Sequence, residues 1–428
     1  MQPYSPERRT ALVLSGTGAH GAYHAGALRA LQEAGVKVDV MAGHGIGAGA
    51  AALAAIDGAS RLWDEGGVWR GGGITRAYAW KWPLRAAVWL AGLLVVAAIV
   101  PLLFPAESRP AFVVWLPALL AVALLLVLGG GPAAERWGTP LKRRVQGGWW
   151  RGIAGAPLDA SSPRDQFLNA IAQLVSRRYS EVLADSLGQP GFRELMIVAT
   201  DLDSRRDIVG ALLREPYSRE FMTPRTERER RAEAVDLAAP GRDHALDLMA
   251  AAMTPPVVCD PHLVTFAADG YWRGETHRLC DRPGASSRLL EELAAAGVSQ
   301  AIIVSAVAPR LAPHRLTASP LDLRQRLGDF LAASESAALR DAMEVARLRF
   351  DSVYLICPAH NPVGAFDFTG AYDDASDRRQ ELLELMDRAY DDAYRQFIEP
   401  VVGASGDHLA RASVPADYGP STILPDSD

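Results

Sequence analysis

Val38-Asp39-Val40-Met41-Ala42-Gly43-His44-Gly45-Ile46-Gly47-Ala48 is the stretch on which the reading of this 428-residue chain turns. An apolar run, closely spaced glycines and then small residues predict a strand, a tight turn and a helix packed close to a sheet. In a Gly-x-Ser-x-Gly elbow, such a turn exposes a serine hydroxyl at the strand end. Here the middle position is Gly45, and moving the register by two only brings Gly47 to the centre.

Upstream, residues 11–15 form a short apolar run that ends in Gly16-Thr17-Gly18-Ala19-His20-Gly21, and residues 22–34 then carry helical periodicity. Strand, glycine turn and helix follow in order. A turn of this kind aims backbone N–H groups from a helix N-terminus at an anion, which suits a phosphate or a developing oxyanion. Gly16-x-Gly18-x-x-Gly21 also has dinucleotide spacing, but Asp39 follows too soon to meet a ribose, and its strand leads to a second glycine turn.

The two turns together, Leu14 to Gly21 and then Gly43 to Gly47, resemble the oxyanion loop and nucleophile elbow of the patatin-like phospholipases. Further matches follow in the same order. Residues 195–202 resemble that family's central strand, residues 250–256 its small-residue helix with a Pro-rich end, and residues 266–270 its strand ending in Asp-Gly. Residues 297–304 resemble a helix-to-strand step, and residues 346–393 a C-terminal strand, an Asp367-Phe368 pair and a helix. The resemblance covers about three quarters of the chain. It implies an α/β fold with a mostly parallel sheet flanked by helices, and a Ser-Asp dyad that cleaves lipid acyl esters. On that pattern Asp269 is the dyad aspartate, Gly16, Thr17, Gly18, Ala19, His20 and Gly21 form the oxyanion loop, and Gly43, His44 and Gly47 surround the nucleophile position at Gly45.

Four positions depart from the pattern. Thr17 stands where glycine is usual, His20 where arginine or lysine is usual, and Tyr271 where a small residue is usual; Gly45 removes the nucleophile. Losing a serine nucleophile costs about 10⁶ in kcat, which leaves about 10³ to 10⁴ over water from binding and the oxyanion site. The nearest serines, Ser15 and Ser60, are expected in the wrong places, Ser15 as a hydroxyl satisfying a turn. A water activated by His44 and Asp269 is the remaining chemical alternative. His20, His24 and His44 have no clear ligand spacing with Asp269, so no metal and no cofactor is expected. Asp201 and Asp367 are expected as turn caps, His262 and His277 as structural. The charge run Arg225 to Arg231 is expected as a solvated helix face.

Two uncharged apolar runs interrupt this pattern, Ala86 to Ala106 and Ala111 to Ala134, each sufficient for one bilayer span. The short link between them predicts a helical hairpin. Lys81, Arg85, Lys142, Arg143 and Arg144 flank its outer ends, whereas the turn holds Arg109, so the soluble parts are expected on the cytoplasmic face. Trp80, Trp82, Trp89, Trp115 and Trp137 lie near the run ends as candidate interfacial anchors. A hairpin buried in the core and a re-entrant hairpin, kinked at Pro101 and Pro117, are the other readings of the same runs.

The composition agrees with an α/β core: 49% of residues are hydrophobic, and the net charge of −6 shows no basic excess for nucleic acid. Three cysteines without paired spacing fit a reducing compartment, and the first ten residues lack the apolar core of a secretory signal. The expected organisation is residues 8–82 as the N-terminal part of a patatin-like domain, 83–135 as the transmembrane hairpin, 136–401 as the remainder of the domain, and 402–428 as a disordered tail. The expected function is a protein held in an inner or plasma membrane that binds phospholipid or another acyl ester, with hydrolysis lost or impaired at Gly45. An active hydrolase with another serine or a His44–Asp269 water, and a non-enzymatic membrane scaffold, are the alternatives. No feature of the sequence names a protein partner.

Overall fold

The computed structural model describes residues 4–99, 115–125, 156–223, 230–239, 241–268, 272–308, 323–373 and 376–403. The main sheet contains β1 (Thr10–Gly16), β2 (Val40–Gly45), β3 (Glu194–Asp201), β4 (Arg206–Leu212), β5 (Ala232–Asp236), β8 (Gln300–Ser305) and β9 (Ser352–Ile356), in the order β5-β4-β3-β2-β1-β8-β9. Only β3 and β4 pair antiparallel along this path. The β6 (His262–Thr265) and β7 (Thr276–Cys280) hairpin joins the end of β3. The expected mostly parallel α/β sheet is therefore present.

β1 is buried along its whole length, as a strand between two parallel neighbours must be, and its sequence is correspondingly apolar on both faces. Alternation sends Leu12 and Leu14 into one core layer with Met41, beside α1 (Gly21–Glu33) and α2 (Gly47–Ala55). Ala11, Val13, Val40 and Ala42 enter the opposite layer, which the helices Ser286–Ala295 and Leu323–Arg349 cover. The same alternation places Ser15 and His44, directly paired across β1 and β2, on this second face. The polar residues of the strand ends are thus buried beneath two helices rather than turned toward solvent.

Helix α3 (Trp82–Ile99) is the one described helix long and apolar enough to cross a membrane, judged by length and composition, and α4 (Trp115–Leu125) is a shorter apolar helix. Little of α3 is covered by the rest of the chain, which argues against a hairpin buried in the core: Trp82 and Trp89 are 68% and 75% exposed. The rest of the expected hairpin, with Pro101, Arg109 and Trp137, lies outside the described residues.

Two expectations are corrected near the two outer edges of the sheet. Arg230 does not lie on a solvated helix face: its side chain is buried, 2.6 Å from Glu292, just before β5. A guanidinium turned inward at this point is balanced by a buried carboxylate on the helix Ser286–Ala295. Arg225 itself lies outside the described residues. At the C-terminus the last helical segment runs to Gly403, so the first two residues of the expected tail are helical, and the remainder lies outside the described residues.

Candidate functional site

The ends of β1 and β2 meet at Gly16 and Gly45, which are register partners in the parallel ladder. Gly45 has φ +59°, the left-handed conformation that glycine adopts without the steric cost other residues bear. The chain therefore turns tightly from β2 into α2 at Gly45, but the space beside the turn is taken. A Cβ at position 45 would stand 2.2 Å from the Gly16 carbonyl oxygen, a backbone atom fixed in turn by the Ile46 amide at 2.9 Å.

Among the described residues, the carboxylate that meets this position is Asp281, one residue beyond β7. Its Oδ1 accepts from the Gly45 amide at 3.1 Å, and its Oδ2 lies 3.5 Å from the point where a Cβ at 45 would be. Asp269, expected as the dyad aspartate, lies outside the described residues, as do Gly270 and Tyr271. Sequence reasoning missed Asp281 because it fixed on the Asp-Gly dipeptide. A signal was available: the strand-like run 276–280 ends at Asp281, then Arg282-Pro283-Gly284 turns the chain into the helix Ser286–Ala295.

A buried polar cluster extends from this point under the second face. The Ser15 hydroxyl is 2.9 Å from His44 Nε2 and 2.8 Å from the Ser286 hydroxyl, and Ser286 is itself 2.9 Å from His44 Nε2. Ser15 therefore does not satisfy a turn, as expected from the sequence, but closes a hydrogen-bond triangle within a strand. His44 Nδ1 is 3.8 Å from Asp281 Oδ1, beyond hydrogen-bond reach. Ser15, His44 and Asp281 stand in the order of a serine triad, with a gap at its second link and with Ser15 buried.

Glu335 enters from the helix Leu323–Arg349. It accepts from the Thr17 hydroxyl at 2.5 Å and lies 3.4 Å from His20 Nδ1. The two positions that depart from the oxyanion-loop pattern, Thr17 and His20, thus share one carboxylate partner. Burial alone would raise the Glu335 carboxyl, but His20 and the Thr17 hydroxyl together hold it below its ordinary value. Burial pushes Asp281 the other way, above the usual carboxylate range, against the pull of His44 and the Gly45 amide. His24, on α1, approaches the Ser15 carbonyl at 3.0 Å through Nε2; full burial lowers its pKa to about 4, so it is neutral and donates that bond.

The oxyanion loop is closed from above. The Ala19 amide donates to the Ala365 carbonyl at 2.7 Å, and a Cβ at Gly18, which has φ +60°, would lie 1.9 Å from that oxygen. The segment 361–368 that supplies this carbonyl is tied down at several points. Asn361 donates to the Ala306 carbonyl, the Gly364 amide donates to Asp367, and Phe368 stacks parallel to Trp69 with centroids 6.4 Å apart. Asp367 is the turn cap expected from the sequence. Asp201 also caps a turn through the Asp203 amide and holds His277 Nδ1 at 2.5 Å. Gly43, Gly47 and Gly21 are buried around the elbow. Among the described residues no group of three or more His, Cys, Asp or Glu side chains is placed to hold a metal ion.

A mostly parallel α/β sheet thus carries two glycine turns that meet at adjacent strand ends. Residues 12–87 match the family model described as patatin-like phospholipase, a span that holds both turns and the first residues of α3. Among solved structures, VipD from Legionella pneumophila is similar at a TM-score of 0.32 and 13% identity, over 93% of this chain and 67% of that one. A structure of full-length SpcU in complex with full-length ExoU from the type III secretion system of Pseudomonas aeruginosa is similar at a TM-score of 0.25 and 16% identity. That match covers 95% of this chain and 62% of the other, so this chain spans less than two thirds of its length. No curated protein matches by sequence.

Proposed function

We propose that this chain is a membrane-held patatin-like protein that associates with phospholipid and does not turn over esters at its elbow. The observation that carries the reading is the occupation of the elbow. Gly45 has no nucleophile, the Gly16 carbonyl fills the space a side chain would need, and the Ala365 carbonyl takes the Ala19 amide. An acyl-transfer site needs both a nucleophile and free donors aimed at the oxyanion. Here the first is missing, and a donor of the second kind is already satisfied.

The family description supports the phospholipid class, and α3 supports the membrane. An apolar helix of 18 residues with large exposed side chains is costly in water and favourable in a bilayer. Leu124 of α4 lines a common cavity with Ala87, Val88 and Ala91 of α3. The basic residues before α3 favour the soluble domain on the cytoplasmic side.

Ester hydrolysis by the purified full-length chain tests the reading, with p-nitrophenyl butyrate and a phospholipid as substrates. The expected result is a rate no higher than that of Ser15→Ala and Asp281→Asn variants. A second reading, a hydrolase using Ser15, His44 and Asp281, is favoured by the 2.9 Å Ser15–His44 contact. Hydrolysis that Ser15→Ala abolishes would establish it and overturn the first.

A further inference from the structure

We propose that the cavity at the root of α3 binds an anionic phospholipid, with its phosphate on Arg85 and an acyl chain along α3; this rests on the membrane reading above. The cavity is about 630 Å³, the size of a small-molecule site, and it is open rather than sealed. Among the described residues, its lining is apolar except for one cation. Leu84, Val88 and Ala91 recur at helical spacing, so they form a stripe along α3, and Leu124 faces that stripe from α4. Such a trough suits a hydrocarbon chain and offers nothing to a polar one.

Arg85 stands at the first turn of α3, exposed, between Trp80 and Trp89, which also line the cavity. Tryptophans of this kind settle at headgroup depth, so the guanidinium lies where a lipid phosphate would be. The neighbouring cation, Lys81, is paired with Asp260. Arg85 therefore supplies the charge at this mouth, and a guanidinium presents forked donors that match phosphate oxygens. The elbow site is full of its own chain, so the lipid that this protein meets is held here.

The test uses the full chain in nanodiscs of equal phosphatidylglycerol and phosphatidylcholine, with the retained lipid read by native mass spectrometry. Wild type is expected to retain phosphatidylglycerol in preference. Arg85→Gln is expected to weaken that preference about fivefold, as for one basic residue at an anionic surface. Arg85→Lys is expected to keep part of the preference, and Ala91→Trp to expel both lipids by filling the trough. Equal retention of the two lipids by wild type, or an unchanged preference in Arg85→Gln, overturns the inference. Flotation with liposomes is measured alongside. Wild type that floats without the preference removes this site and leaves the membrane reading intact, whereas wild type that fails to float removes both.

Discussion

At the elbow, His44, Asp281 and Glu335 are buried and each lies against another part of the chain. At the root of α3, Trp82 and Trp89 leave most of their surface uncovered. The first region has the charge and hydroxyl chemistry of a reacting site and no room, while the second has room and almost no chemistry. The contrast teaches that, on the proposed reading, more than one hydroxyl separates the elbow from a reacting site. The Gly16 carbonyl lies against Gly45, Glu335 holds Thr17, and the 361–368 segment holds the Ala19 amide. If the two regions divide structure and binding in this way, substitutions at the elbow should cost folding energy, and those at the root of α3 should not.

Gly45→Ser is expected to show the largest effect. It places a Cβ against the Gly16 carbonyl and forces a non-glycine residue into positive φ, costs that together come to about 2–5 kcal/mol. Denaturant melts measure it, and the variant is expected to gain no esterase rate. A Gly45→Ser protein as stable as wild type that hydrolysed esters would break the comparison, because the elbow would then be a preserved site lacking only its hydroxyl.

Phe368→Ala comes next. It removes a buried ring stacked on Trp69 from the segment that delivers the Ala365 carbonyl, a loss of about 3–4 kcal/mol. A much smaller loss in the same melts would mean that the segment is held elsewhere, and that the cover over the oxyanion loop is loose.

His24 gives a pH signature of the sealed side. Its folded pKa of about 4 is below the ordinary value near 6.5, so the unfolded chain binds the extra proton between those values. The stability from a neutral His24 is therefore complete above about pH 6.5 and falls as pH drops toward 4, by about 3 kcal/mol in all. Melts in a pH series on wild type and His24→Gln measure it, with the slope expected to flatten in the variant. An unchanged slope would place the acid sensitivity on other buried groups.

Much of this was legible in the sequence for a local reason. The strand-turn-helix units around Gly16–Gly21 and Gly43–Gly47 are written in adjacent residues, so periodicity and glycine spacing reveal them. The rest of the site is assembled from a distance. Glu335 reaches Thr17 from 318 residues away, on a helix whose sequence carries no motif. The Ala365 carbonyl is backbone, and any residue could have supplied it. Asp281 was within reach of a sequence argument, but two strand-ending aspartates compete in the same region, and only the fold shows that one of them meets Gly45.

Arg85→Gln is expected to leave stability within about 0.5 kcal/mol of wild type when the melts are run in neutral detergent without anionic lipid. Its guanidinium is exposed at the end of a helix whose apolar side chains face outward, so removing the charge creates no cavity and strands no buried partner. The number is small, but it tests the comparison more sharply than the larger ones. A loss of 2 kcal/mol or more, on the scale of a buried ion pair, would mean that Arg85 holds the soluble domain to its apolar helices. The root of α3 would then be a structural joint like the elbow, and the open cavity beside it a gap in that joint rather than a place kept for lipid.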